Sequence, residues 1–405
     1  MRWDNINILH ICPDYPPLVR GGGAETFKLL TENWSLDGNC VTVITSTPHR
    51  TALPTKGSYD KSVSSYRLVP LPPTFSEARF FSPLYPLEHL RLMRWIKSEC
   101  HKYDYIIVNG ITETISREFL LHIPSSYLDK VILIDHGIPT ADYSWLFSTF
   151  SRFIHKTIGK VLVEKLRSIV VFSEASEKEY VNTFGLNLNQ RIHKILLGMD
   201  FAQFKELFIN LSKDGIKKSE ILIKLGINKN FIFSIGRNVR TKGFEQLIYA
   251  FSEIASDFSD LELVIAGDLT DYTKYLISIS KKLNILDRVK FIGRIDEATK
   301  IALMITCKLF LIPSVKEGFG LNALEARVLS VKTLATCTGA HEAILDDPNC
   351  DMLIREPYKE LTKSMTLLLE SEKCFPQWNN EIESRFDIRI TALELLKMMK
   401  NMNSL

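Results

Sequence analysis

Short apolar runs of strand length alternate with longer amphipathic stretches along most of the chain. In the first half the runs are Ile6 to Ile11, Val41 to Thr45, Asp104 to Val108, Val131 to Ile134 and Ile169 to Phe172. In the second they are Phe231 to Ile235, Leu261 to Ala266, Val289 to Ile292, Leu309 to Ile312, Thr333 to Ala335 and Met352 to Ile354. Several lack polar alternation, which marks strands covered on both faces, as in parallel sheets. Between them apolar residues recur at helical spacing, for example Phe27, Leu30 and Trp34, or Phe244, Leu247, Ile248 and Phe251. The pattern predicts an α/β protein of doubly wound type. It fades between Asp200 and Ser219, which reads as a crossover between two domains.

In such folds ligands gather outside the carboxyl ends of the strands, so the residues following each run carry the candidate chemistry. After the first run, three prolines and Gly21-Gly22-Gly23 precede a helix expected to start near Ala24. Glycines there let backbone approach a ligand, or simply serve a turn that needs positive φ. The fourth run of the first half ends in Asp135-His136-Gly137, which makes His136 a site candidate. After Phe231 to Ile235 comes Gly236-Arg237-Asn238-Val239-Arg240-Thr241-Lys242-Gly243. Arginine and lysine suit phosphate oxygens, and two of them could anchor a diphosphate; a basic loop in solvent is the competing reading. After Leu309 to Ile312 the chain reads PSVKEGFGLNALEARVL, a glycine turn entering a helix. Glu317 stands in that loop and Glu325 is placed about two turns inside the helix. A strand, a glycine loop and a helix N-terminus converge on an anion, so a ligand bearing both phosphate and hydroxyl groups fits this stretch.

Length narrows the picture: 405 residues suffice for two or three domains with their own cores. Charge adds little, since a formal +3 does not point to nucleic acid. Seven cysteines without paired spacing predict neither disulfides nor zinc. No signal peptide or membrane span is apparent, so a cytoplasmic, reduced protein is expected. Two basic amphipathic stretches, Arg79 to Lys102 and Phe150 to Arg167, suit packing on a sheet with charges outward. A peripheral contact with anionic membrane at its inner face is the minor alternative.

Taken together in their order and spacing, Gly21-Gly22-Gly23-Ala24-Glu25, Ser173, Gly236-Arg237, Lys242-Gly243, Glu317-Gly318-Phe319-Gly320 and Glu325 resemble the GT-B-fold nucleotide-sugar glycosyltransferases, most like the retaining family 4. The Glu-x7-Glu pattern within EGFGLNALEA is the most specific part. The resemblance implies two doubly wound Rossmann-like domains facing across a cleft. Residues 1–199 would form an acceptor-side domain, 200–385 a donor-side domain, and 386–405 a helix crossing back to the first. Arg237 and Lys242 would hold the donor diphosphate. Glu317 with Gly318, Phe319, Gly320 and Leu321 would meet the donor sugar and phosphate, and Glu325 the ribose. Gly22 and Gly23 would approach the phosphate, with His136 beside the transferred sugar. The activity implied is transfer of a sugar from a nucleotide-diphosphate sugar to a hydroxyl of a glycan or lipid-linked acceptor, as in polysaccharide, lipopolysaccharide or capsule biosynthesis. The nucleotide sugar is substrate and no further cofactor is implied. Metal dependence is not implied either, for want of an Asp-x-Asp cluster. A nucleotide-sugar epimerase and a non-catalytic scaffold are the alternatives on the same fold. The chain departs from the family pattern at Leu197, at Asn349-Cys350, and at His341, where proline is usual before the late glutamate.

Overall fold

The computed structural model describes residues 6–13, 15–16, 22–46, 66–71, 93–111, 114–135, 155–185, 191–227, 230–372 and 374–402. The chain divides into two compact units, Met1–Met199 with Phe386–Leu405, and Asp200–Arg385.

In the first unit seven strands form one parallel sheet: β1 (Asn7–Ile11), β2 (Cys40–Ser46), β3 (Tyr66–Leu71), β4 (Tyr105–Asn109), β5 (Val131–Asp135), β6 (Ser168–Val171) and β7 (Ile192–Lys194). Their spatial order is β3-β2-β1-β4-β5-β6-β7, so the winding reverses between β1 and β4. The interior of β4 and β5 is apolar because helices cover both faces of the sheet. The helix Gly22–Leu36 packs against the final helix Ile388–Met402, with the Trp34 indole N–H donating to the Ala392 carbonyl. That helix therefore belongs to the first unit. Met199 pairs with Asp387, and a Cβ at Gly198 would stand 2.4 Å from the Phe386 carbonyl oxygen. Only glycine fits there.

The second unit carries a six-stranded parallel sheet: β8 (Asn230–Ile235), β9 (Leu261–Ala266), β10 (Val289–Gly293), β11 (Leu309–Ile312), β12 (Thr333–Thr336) and β13 (Asp351–Ile354). The order is β10-β9-β8-β11-β12-β13. Its winding reverses between β8 and β11, and a crevice opens at such a point because the flanking connections leave toward opposite faces. The stretch read as a domain crossover begins where the chain passes from the first unit to the second, and it is helical: Ala202–Lys213 and Gly215–Lys224. Phe204, Phe208 and Leu211 bury one face of the first, and Phe201, Phe204 and Phe208 surround Trp378.

A further expectation is corrected. Cys350 and Cys374 form a disulfide, with Cα atoms 5.9 Å apart; they lie 24 positions apart, so only the fold brings them together. Gly22 and Gly23 are the opening residues of a helix, and Gly23 does not have positive φ; Gly21 lies outside the described residues. Of the two basic stretches, helix 93–99 and residues 155–167 are described. In the first, Ile96 enters the core while Arg94 and Lys97 are exposed, the sheet-packing arrangement. Among the described residues no helix is long and apolar enough to cross a membrane.

Candidate active site

Three strand ends, those of β8, β11 and β12, build one cluster in the second unit. After β8 the chain makes a short turn, Arg240–Lys242, and enters the helix Phe244–Ile254 through Gly243. Gly243 has φ of +70°, and a Cβ there would lie 1.9 Å from the Pro313 carbonyl oxygen, so glycine lets this turn rest on the loop after β11. Backbone hydrogen bonds reinforce the seam: Val315 N–H donates to the Thr241 carbonyl at 2.8 Å. Asn238, fully buried, ties the turn to the neighbouring strand end. Its N–H donates to Asp268 and its side-chain amide to Thr273.

The loop after β11 delivers Glu317. Its carboxylate accepts from Lys242 Nζ at 2.6 Å and from the Ser314 hydroxyl at 2.6 Å. Its backbone N–H donates to Thr338 Oγ1 at 3.1 Å. Burial alone would push the Glu317 carboxyl up. The Lys242 ammonium and the Ser314 hydroxyl outweigh it, so the group sits below the usual carboxylate range. The Arg237 side chain, by contrast, is exposed and makes no hydrogen bond or ion pair among the described residues, although its charge helps to hold the Asp268 carboxyl below its usual range. The site thus holds one cation already paired and a second available to a ligand.

Gly318, Phe319 and Gly320 lead into the helix Leu321–Val328. Phe319 is buried, and its carbonyl accepts from Ala340 N–H at 2.8 Å. Gly320 is the cap residue, with φ of +105°. No side chain caps this helix; the Ala323 N–H donates to the Gly320 carbonyl at 2.9 Å, while the N–H groups of Leu321 and Asn322 show no partner among the described residues and face the position an anion would take. Asn322 in that turn donates to the Ile235 carbonyl at 3.0 Å and locks the helix start to the end of β8. The amphipathic pattern carried no sign of this contact.

Glu325 is the fifth residue of the helix, one turn inside and not two, because the helix begins only at Leu321. It is buried, and its Oε1 accepts from Lys300 Nζ at 2.8 Å while Oε2 has no partner. Burial pushes the Glu325 carboxyl up, and Lys300 opposes this. Lys300 also donates to Glu297 at 2.9 Å, and these carboxylates keep it charged against burial. A buried lysine on the apolar face of the helix Glu297–Thr306 was not foreseen. Lysine at such a position is ordinarily a solvent residue, and no local pattern announces its distant partner.

The structure thus brings together Lys242, Glu317, Gly318, Phe319, Gly320 and Leu321 in one cluster. Arg237 lies on the same connection as Lys242, and Glu325 follows one turn along the helix. Gly22 and Gly23 belong to the first unit, where a Cβ at Gly23 would meet open space. His136 lies outside the described residues.

Two parallel doubly wound sheets in these strand orders, with a glycine-rich loop at the second switch point, define a GT-B-type fold. Residues 217–385 match the family model described as "Glycosyl transferases group 1". A curated Bacillus subtilis protein, the uncharacterized glycosyltransferase YqgM, is 31% identical over 35% of this chain and 39% of its own length. The glycogen synthase of Mycobacterium tuberculosis H37Rv is 23% identical over 84% of this chain and 80% of its own. Among solved structures, Anabaena Alr3699/HepE in complex with UDP-glucose is similar with a TM-score of 0.67 at 18% identity, covering 98% of this chain and 100% of that one. The fold is shared with that structure.

Proposed function

We propose that the chain transfers a sugar from a nucleotide-diphosphate sugar to a hydroxyl of a glycan or lipid-linked acceptor, with retention of configuration at the sugar. The observation that carries this reading is the Lys242–Glu317 contact at the switch point, beside an uncapped helix start. A diphosphate needs fixed positive charge, and a sugar needs an oriented acceptor; this cluster supplies both within a few ångströms. The UDP-glucose complex of HepE, a protein of the same fold, supports a nucleotide sugar as the donor.

In this reading Arg237 and Lys242 bind the diphosphate, and N–H groups at Gly318 to Leu321 add dipoles. As the bond between sugar and phosphate breaks, negative charge grows on the leaving diphosphate. Prepositioned cations stabilise that state more than the ground state, which is where catalysis arises. Glu317, kept ionised by Lys242, accepts from sugar hydroxyls and fixes the orientation of the ring. No protein nucleophile is required: the acceptor hydroxyl attacks on the face the diphosphate leaves, and a leaving phosphate oxygen takes its proton. Glu325 accepts from ribose through the oxygen that Lys300 does not occupy. We assign Gly22, Gly23 and His136 to the same reaction, and His136→Ala tests the last of these by loss of turnover with donor binding retained.

Incubation with UDP-, GDP- and ADP-sugars and a hydroxyl acceptor, followed by mass spectrometry, tests the reading. Release of nucleotide diphosphate with a matching mass gain on the acceptor is expected. An epimer of the donor formed without acceptor would replace transfer by isomerisation.

A further inference from the structure

His341 is fully buried at the start of the short helix after β12, and it takes no part in the chemistry above. Its Nδ1–H donates to the Thr336 carbonyl at 2.7 Å, which fixes the tautomer and leaves Nε2 as a lone-pair acceptor. Nε2 has no hydrogen-bond partner among the described residues. It presses on Gly320: a Cβ at that residue would stand 2.5 Å from it. Gly320 caps the helix whose first N–H groups belong to the proposed anion site, so a buried basic nitrogen without a partner among the described residues stands directly behind that site.

We propose that His341 is a positioning residue that takes up a proton on Nε2 when a diphosphate ester binds at Gly318–Leu321. This rests on the donor reading of the loop. In the free protein the imidazole is neutral, because burial disfavours its charged form. The charged groups that face it are Glu317 from the loop after β11, which favours the proton, and Lys242 from the turn after β8, which disfavours it. On its own helix Glu342 is already paired with Arg355. A diphosphate brings negative charge to the loop and draws Lys242 toward phosphate. Both changes favour imidazolium, and the gained charge holds the anion through the bare Cα of Gly320, where any side chain would intervene. The proton comes from solvent, and no bond other than N–H is made.

The linkage has a definite sign. A group whose proton affinity rises on binding makes binding tighter as pH falls, by up to about tenfold per pH unit for one proton. UDP-glucose, GDP-mannose and ADP-glucose are the appropriate probes, because their diphosphates are esterified at both ends and do not titrate near neutrality. Calorimetric titration of the full chain in buffers of different ionisation heat, between pH 6 and 8, reads the uptake directly. Wild type is expected to gain up to one proton with the nucleotide sugar that binds, and His341→Gln to bind with none. Histidine-labelled NMR of the unsubstituted chain is the second measurement, expected to show one buried imidazole turning cationic in the complex. Binding without uptake, uptake persisting in His341→Gln, or an imidazole still neutral at saturation would each overturn the proposal while leaving the donor reading intact. Binding of none of the three probes would overturn both.

Discussion

Lys242 and Glu317 are 75 positions apart in sequence and meet at 2.6 Å, one from the connection after each of the two strands between which the second sheet reverses. The pair is mostly shielded, with 23% and 13% of the two side chains exposed. A contact made this way ties a stability element to the proposed ligand site, and the two roles separate under substitution.

Arg237→Ala and Lys242→Ala should therefore differ. Both remove a cation from the diphosphate, and a hydrogen bond to a charged group is worth about 1.5–3 kcal/mol, so each should weaken nucleotide-sugar binding by roughly 10- to 150-fold. Only Lys242→Ala leaves Glu317 shielded and without its cation. It should lower the melting temperature, whereas Arg237→Ala should leave it within error. Calorimetric binding and thermal unfolding of both variants check this.

Gly320→Ala should be damaging although it adds one methyl group. The new Cβ would meet the His341 ring at 2.5 Å, and φ of +105° is strained for alanine. Strain of this kind and overpacking cost about 1–3 kcal/mol each. Thermal unfolding should show a drop of several degrees, with donor binding reduced more than the stability loss alone explains.

How much of this was legible beforehand depended on whether a feature was local. Leu309–Ile312 is a continuous apolar run and Asn230–Ile235 nearly one, and their polar ends announced the Glu317 and Arg237 loops. The edge strand Tyr66–Leu71 escaped because Arg67 and Pro70 break its pattern. An edge position tolerates that proline, since one side of the strand has no sheet partner. The helix Ala202–Lys213 did carry a signal in Phe204, Phe208 and Leu211, hidden by its neighbouring polar residues. Lys300, Asn322 and the ring of His341 act through partners 25, 87 and 5 positions away in the chain. Nothing in their immediate surroundings names those partners. His341 was visible only as a departure from the family pattern.

The Lys300–Glu325 pair gives a third prediction. Lys300→Met leaves a buried carboxyl without its cation, and breaking such a pair costs about 3–5 kcal/mol. Replacing both partners, as Lys300→Met with Glu325→Leu, should restore much of that loss while abolishing the contact proposed for ribose. Denaturant unfolding of the two single variants and the double variant measures the coupling.

A fourth concerns pH. The folded-state Glu317 carboxyl lies below its ordinary value, so its contribution to stability is complete above about pH 4.5 and is lost as pH falls through the folded value. Glu317→Gln should thus be less stable than wild type at pH 7, and the two should converge in acid. Melting temperatures between pH 3 and 7 would show it; a constant difference across that range would contradict the assignment.

The central claim is that the Lys242–Glu317 loop cluster holds a nucleotide sugar and drives transfer of its sugar. The most direct measurement is a mass-spectrometric turnover assay with UDP-, GDP- and ADP-sugars and a hydroxyl acceptor, run on wild type and on the Arg237→Ala/Lys242→Ala double variant. The account predicts conversion of one donor by wild type, with at least a hundredfold loss in the double variant. Equal turnover by the two proteins, or no donor consumed by wild type, would contradict it.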